Sequence, residues 1–298
     1  MLLREYEEKP GLVRRKNVLE VTNLVKRYGK QTAVCGLSFT ADRGEILGLL
    51  GPNGAGKSTT MNMLTGYIAP TSGEILVNEM DLQKHPAKIK GKIGYMPEVP
   101  PLYPDMTVKE YLIFVAELRK IPRGKRKKAV TEIMKKTAVE PVANRLIKNL
   151  SKGYRQRVGF AQAIIGDPEI IILDEPTAGL DPRQIRQMRE MILDLKKDHL
   201  VILSSHILSE IEEVCDHVLI ISGGKLVLSD STEHLLDEHQ ESLEDVFLEL
   251  TEQEHEEDLE ADEDTLEEDF GGEEEKETPK DADEEDRTIE EKGRESKS

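Results

Sequence analysis

Short runs of apolar, often β-branched residues recur along this chain, separated by stretches whose apolar positions fall at helical spacing. "VLEVTNLVKRYG" (18–29) and "TAVCGLSFTA" (32–41) read as strands joined by a turn that contains a glycine. "EILGLL" (45–50) is a short continuous run, the pattern of a buried strand. Residues 57–65 predict a helix, and "SGEILVN" (72–78) predicts a further strand after a Pro-Thr-Ser-Gly turn. From Asp105 to about Gly166 the pattern is mainly helical, as in "TVKEYLIFVAELRK" (107–120). "EIIILDE" (169–175), "HLVILSS" (199–205) and the two runs around Gly223-Gly224 in "HVLIISGGKLVLS" (217–229) predict more strands, with helices between them. "TEHLLDE" (232–238) and "SLEDVFLELT" (242–251) predict closing helices. Strands alternating with helices in this way predict an α/β fold built on a parallel sheet covered on both faces. There is no internal repeat.

Charge alters the picture at one end only. The chain of 298 residues holds 41 Lys and Arg against 59 Asp and Glu, a net charge of −18. The last 47 residues (252–298) contain 24 acids and 6 bases, so the first 251 residues, with 35 of each sign, are neutral. That tail has too few apolar residues to offset its ordering entropy and is expected to be disordered and solubilising. The leader 1–16 is polar and reads as a poorly ordered arm, which leaves 17–251 as the folded domain. The basic run "RKIPRGKRKK" (119–128) reads as a solvated helix-loop face. Cys35 and Cys215 offer neither a disulfide framework nor a metal spacing, and each follows a valine in an apolar stretch, so both are expected to be buried. The N-terminus has no apolar signal core and no run approaches the roughly 18 apolar residues of a membrane span. A cytoplasmic protein is implied, and work at a membrane requires a partner that supplies the spans.

One stretch carries chemistry on its own. In "LGLLGPNGAGKSTTMNML" (47–64) a predicted strand stops at a glycine loop and a predicted helix follows. Gly51, Pro52, Asn53, Gly54, Ala55, Gly56, Lys57 and Ser58 fit G-x-x-x-x-G-K-[ST], a P-loop. A triphosphate needs several N–H donors close together, glycines open the approach, and the helix aims its first amides at the anion. Lys57 can set its ammonium between the β- and γ-phosphates. Ser58 can place its hydroxyl on Mg²⁺, with Thr59 beside it. Average glycine usage makes a chance match in a chain this long an event of roughly one sequence in a hundred, and a strand before and a helix after sharpen it. The strand "IIILDE" (170–175) ends in two carboxylates. Beside a P-loop, Asp174 can sit near Mg²⁺ and Glu175 can polarise the attacking water.

Further segments bring a family into view. "LSKGYRQRVGFAQAI" (150–164) resembles the signature of the ATP-binding cassette proteins, and "DEPTAGLDP" (174–182) and "LSSH" (203–206) resemble that family's later motifs, in matching order from about Val18 to Thr251. The resemblance implies a P-loop NTPase core with a mixed, largely parallel sheet, an antiparallel β subdomain and a helical subdomain over about 98–165. It implies that Tyr28 stacks on adenine, Glu175 is the catalytic glutamate, His206 is the switch histidine at the γ-phosphate, and Asp181 lies in a loop that crosses to a partner cassette. Ser151 and Gly153 match the part of the signature that faces the γ-phosphate bound by the opposite subunit. Each ATP is then sandwiched between two cassettes, so a homodimer or a pairing with a related cassette is expected. The remaining histidines, His85, His199, His217, His234, His239 and His255, read as ordinary surface or boundary residues.

The sequence departs from the family at two places. Lys152 and Tyr154 stand where the signature has glycine and glutamine, and Glu98 stands where a glutamine follows "GYMP". Glu98 is expected to link the nucleotide to a transmembrane permease, with a carboxylate able to ligate Mg²⁺. The docking surface for that permease is expected over 98–118, at the inner face of the cell membrane. "GYMPE", the "LSKGYRQRV" form and "SLEDVFLELT" together look most like the exporter branch that handles drugs, polysaccharides, lipids or gliding-type systems. The competing reading is a soluble cassette ATPase acting on nucleic acid or ribosomes. Only 92 residues separate Ser58 from Ser151, which leaves no room for the long coiled coil of chromosome and repair cassettes. The neutral body lacks the basic excess of a nucleic-acid binder. Direct contact with nucleic acid is not expected.

Overall fold

A computed structural model of the chain describes residues 18–239 and Phe247. The arm at 1–16 and the acidic tail at 252–298 lie outside the described residues, as does the helix expected over 242–251 apart from Phe247, which is helical.

Two sheets organise the domain. The smaller is antiparallel, in the order β2-β1-β4-β5, from β1 (Leu19–Tyr28), β2 (Gln31–Ala41), β4 (Ser72–Val77) and the two-residue β5 (Met80–Asp81). The larger has six strands in the order β10-β9-β3-β8-β7-β6, from β3 (Ile46–Leu50), β6 (Ile93–Met96), β7 (Ile170–Asp174), β8 (Leu200–Ser205), β9 (His217–Ser222) and β10 (Lys225–Ser231). Five of these pair in parallel and β10 closes the edge as an antiparallel hairpin on β9. The sheet is therefore mixed and largely parallel.

Strand periodicity sorts the larger sheet's side chains onto two faces. Leu47, Leu49, Ile172, Ile202 and Leu219 point to one side, where they pack with α1 (Lys57–Leu64) and with the inner face of the antiparallel sheet, including Leu19, Val34 and Leu37. Ile46, Leu50, Ile171, Leu173, Val201 and Ile220 point to the other. There they meet α5 (Lys152–Ile164), α6 (Pro182–Leu195) and α7 (Leu208–Val214) through Phe160, Ile192 and Ile211. Burial on both faces is why these strands read as unbroken apolar runs.

A second apolar centre forms between helices. α3 (Val108–Leu118) opens on a capping box in which Thr107 Oγ1 accepts from the Glu110 amide and Glu110 Oε2 accepts from the Thr107 amide at 2.9 Å. Its Leu112 and Val115 pack with Val130 and Met134 of α4 (Arg123–Lys136) and with Val158 and Ala161 of α5. α5 thus gives one face to the sheet and another to the helical cluster.

Four details differ from the sequence-based expectation. Residues 93–96 form a strand, β6, and 86–90 a short helix, α2 (Pro86–Lys90); neither run is long or apolar enough to announce itself. Cys35 is exposed, because the period of β2 turns it away from buried Val34, whereas Cys215 is buried as expected. His199 is buried rather than at the surface, and its Nδ1 lies 2.7 Å from the Pro168 carbonyl oxygen, the contact of a satisfied core histidine.

Phe160 is fully buried where α5 meets the sheet. Phe160→Ala is expected to destabilise the domain by about 3–5 kcal/mol, read as a lower denaturation midpoint at an unchanged slope.

Candidate functional site

The glycine loop runs from the end of β3 into α1, at the carboxyl end of the parallel sheet, where α/β folds bind ligands. Other backbones hold it closely. A Cβ at Gly51 would come 2.1 Å from the Ile221 carbonyl oxygen, and one at Gly56 would come 2.5 Å from that of Ala33. Gly56 also has φ +102, a conformation that L side chains rarely adopt. Between them, the Gly224 amide donates to the Ala55 carbonyl at 3.1 Å. The loop is therefore wedged between β2 and the β9–β10 hairpin, and α1 begins immediately with amides that have no partner inside the helix.

A cavity of about 310 Å³ opens over this loop. Lys57, Ser58 and Thr59 of the loop and α1 line it together with Glu98, Glu175 and His206. Lys57 is 7% exposed, and its ammonium donates to the carbonyls of Gly51 at 2.6 Å and Pro52 at 3.0 Å. Burial lowers the Lys57 pKa, opposed by the charges of Glu175 and Asp174.

Parallel register builds the acidic side. Asp174 and Ser204 face each other at the ends of β7 and β8. Ser204 Oγ donates to Asp174 Oδ1 at 2.6 Å and accepts from the Glu175 amide at 3.1 Å. Glu175 sits at φ +47, an uncommon conformation for a residue other than glycine. Its Oε2 lies 2.9 Å from His206 Nδ1. Burial raises the Glu175 pKa, countered by the hydrogen bond to His206 and the charge of Lys57. Ser204 is a residue that sequence reasoning missed; its signal is its position within "LSSH".

Other expected site residues lie apart from the cavity within one chain. Tyr28 is half-exposed at the end of β1, with Lys26 Nζ 5.2 Å from its ring centre. Ser151 caps α5, accepting from the Tyr154 amide, with Gly153 in the first turn. Asp181 caps α6, accepting from the Gln184 amide at 2.9 Å. Lys152 packs against the loop after Glu175, since a Cβ at Gly179 would lie 2.0 Å from its ammonium. The carbonyl of Glu98 lies 3.4 Å from Gln156 Nε2 on α5, which ties that cavity residue to the helical cluster.

A glycine loop held open at the carboxyl end of a parallel sheet, a buried lysine at the start of the next helix and a strand-end carboxylate pair define a P-loop nucleotide-binding domain. The family model for ABC transporters matches residues 34–178. The chain is 40% identical over 229 residues to the bacitracin transport ATP-binding protein of Bacillus licheniformis, covering 76% of this chain and 74% of that one. It is 38% identical to the linearmycin resistance ATP-binding protein of Bacillus subtilis (70% of this chain, 68% of that one) and 34% identical to the Nod factor export ATP-binding protein I of Ralstonia nicotianae (78% and 73%). A solved ATP-binding subunit of an ABC transporter superposes with a TM-score of 0.72 at 31% identity, over 78% of this chain and 99% of that one. The chain belongs to the ATP-binding subunits of ABC transporters and is an ATPase of that family. A membrane-transport role is thereby favoured over a soluble cassette acting on nucleic acid or ribosomes. Subunits of this kind generally pair with one another and with a transmembrane permease. Among the described residues, no helix is long and apolar enough to cross a membrane.

Because burial raises the Glu175 pKa, its carboxylate is protonated at a higher pH than an ordinary glutamate at 4.5. If it serves as the base, kcat/KM for ATP is expected to fall on acidification already above that value, which a kcat/KM–pH profile measures. Ser204→Ala, which frees both Asp174 and the Glu175 amide, is expected to lower kcat about tenfold or more in steady-state ATPase assays.

Proposed function

We propose that this chain is the cassette of an exporter: two copies, or one copy and a related cassette, close over Mg²⁺-ATP on the cytoplasmic side of the membrane and drive a separate permease. The observation that carries the reading is that one cavity gathers Lys57 and Ser58 of the glycine loop with Glu98 and the Glu175–His206 pair, which lie far from it in sequence. Exporter function rests on the relatives named for bacitracin transport, linearmycin resistance and Nod factor export.

Lys57 exchanges the loop carbonyls it now contacts for phosphate oxygens, a charge-assisted contact stronger than the one it leaves. Tyr28, half-exposed at the end of β1, offers its ring to adenine. Magnesium favours hard oxygen donors; the Ser58 hydroxyl and the Glu98 and Asp174 carboxylates are of that kind, and Asp174 is near enough for its charge to act on Lys57. These three residues fit the ion, which when bound neutralises charge on the phosphates. Glu175 takes the proton of the attacking water, and His206 holds the glutamate's outer oxygen and offers its ring to the γ-phosphate. Ser151, Gly153 and Asp181, which stand away from the cavity in a single chain, complete the partner's site: the amino end of α5 presents donors to an anion.

The permease docks in a groove of about 560 Å³ between the core and the helical cluster, lined by Tyr103, Tyr111, Phe114 and Leu118. Tyr103 packs edge-on to Tyr111 with ring centres 5.9 Å apart, and Leu118 is 63% exposed. Aromatic and apolar side chains left open beside a nucleotide-linked segment suit an interface.

Glu175→Gln is expected to retain ATP binding, lose turnover by about a hundredfold or more, and accumulate a closed dimer with ATP on gel filtration. Ordinary turnover in that variant overturns the role of Glu175. Lys57→Ala is expected to weaken nucleotide binding about tenfold or more in a fluorescent-nucleotide titration.

A further inference from the structure

We infer that Glu210 is a positioning residue for ATP hydrolysis, a buried carboxylate that holds the turn behind Glu175 and the turn carrying His206 in one arrangement. The inference rests on the roles proposed above for Glu175 and His206.

Glu210 lies in α7 and is only 5% exposed. One of its oxygens, Oε2, accepts two hydrogen bonds: from Thr177 Oγ1 at 2.6 Å and from Ser205 Oγ at 3.0 Å. Thr177 is two residues after Glu175, and Ser205 immediately precedes His206. Both donors are themselves buried. Ser205 Oγ also accepts from the Ile207 amide at 3.0 Å, so the same hydroxyl shapes the backbone on both sides of His206.

The two turns need such a tie. Glu175 and His206 leave neighbouring strands, β7 and β8, on separate loops, yet their side chains meet at 2.9 Å. Glu175 is held at φ +47, and the chain behind it folds tightly, with the Ala178 amide bonded to the Glu175 carbonyl and the Leu180 amide to the Thr177 carbonyl, each at 3.1 Å. A non-glycine residue keeps that conformation only where its surroundings hold it. Ser204 holds the amide side of Glu175; Glu210, through Thr177, holds the other. A displacement near 1 Å at a reacting group can cost about a hundredfold in rate, so a tie this close to the water-activating carboxylate acts on kcat. Lys57 and the glycine loop are anchored by different segments, so nucleotide affinity does not depend on it.

Stability alone does not account for a carboxylate here. Buried ionic groups can often be replaced by apolar residues of similar volume without loss of stability. The second oxygen, Oε1, is buried with no hydrogen-bond partner among the described residues. What it supplies is one acceptor shared by two hydroxyls.

The test compares Glu210→Met, Glu210→Gln, Thr177→Val and the Thr177→Val/Glu210→Met double variant in the full-length chain, with Glu175→Gln as control. For each, kcat and KM for Mg²⁺-ATP, nucleotide affinity and the thermal midpoint are measured. Glu210→Met is expected to lower kcat about tenfold or more with nucleotide affinity within about twofold of wild type. Glu210→Gln, whose amide oxygen can accept both hydroxyls, is expected to stay within about threefold of wild-type kcat. Thr177→Val is expected to lower kcat several-fold, and to add nothing in the Glu210→Met background. Wild-type kcat in Glu210→Met overturns the inference, as does a loss matching only the fraction unfolded. Equal losses in Glu210→Gln and Glu210→Met also overturn it, because charge rather than the shared acceptor would then be responsible. If Glu210→Met does not fold, unchanged kcat in Thr177→Val overturns it. Turnover in Glu175→Gln defeats the underlying assignment, whereas an inactive Glu175→Gln beside a fully active Glu210→Met defeats only the role of Glu210.

Discussion

The nucleotide site depends on a backbone held by other backbones. Loop 51–56 has the Ile221 carbonyl against Gly51, the Ala33 carbonyl against Gly56 and the Gly224 amide bonded to the Ala55 carbonyl. No side chain can stand at the two contact points, so the loop can keep its shape only with glycine there and with both sheets assembled around it. The antiparallel sheet supplies β2 and the parallel sheet supplies the β9–β10 hairpin. The Cys35 amide donates to the Gly224 carbonyl at 2.8 Å, joining those two supports to each other. An open cradle of amides is costly unless it is rigid before the anion arrives, and this wedge provides the rigidity.

The reactive side is organised by strand register. Parallel pairing sets Asp174 opposite Ser204, and one hydroxyl then serves the carboxylate on one strand and the amide of Glu175 beyond it. Beyond this pair, Thr177 in the turn after β7 and Ser205 at the end of β8 share the Glu210 oxygen. The carboxyl ends of β7 and β8 and the turns that follow are thus joined twice by short polar contacts next to the Glu175–His206 pair. Polar groups this deeply buried favour one geometry over its neighbours, since displaced partners would go unsatisfied in a low-dielectric interior.

α5 touches the sheet, the helical cluster and the segment that lines the cavity. Its Phe160 and Ile164 join the sheet's apolar face while Val158 and Ala161 join the helical cluster. Its amino end carries Ser151 and Gly153, and its Gln156 reaches the carbonyl of Glu98, which lines the nucleotide cavity. A rigid helix packed on both bodies transmits a shift at one of them to the other more readily than a loop would, because close-packed interfaces deform little.

Hydrophobic patterning alone gave most of the elements, and glycine spacing gave the phosphate loop. Apolar runs at 46–50, 170–173 and 200–203 fit strands covered on both faces, and the glycine spacing before Lys57 has a chemical reason that needs no coordinates. The strand-end carboxylates singled out Glu175 as a candidate, and the family resemblance singled out His206. Local pattern could not find Ser204, Thr177 or Glu210 as a connected set, because their contacts span 29 to 33 residues of chain and exist only once β7, β8 and α7 are side by side. It misjudged Cys35 and His199 for a related reason: a neighbour's hydrophobicity reports the segment's burial, whereas the side a residue faces depends on what packs there. Strand β6 and the exposure of single side chains were likewise decided by tertiary packing, which alone sets the register of one segment against another.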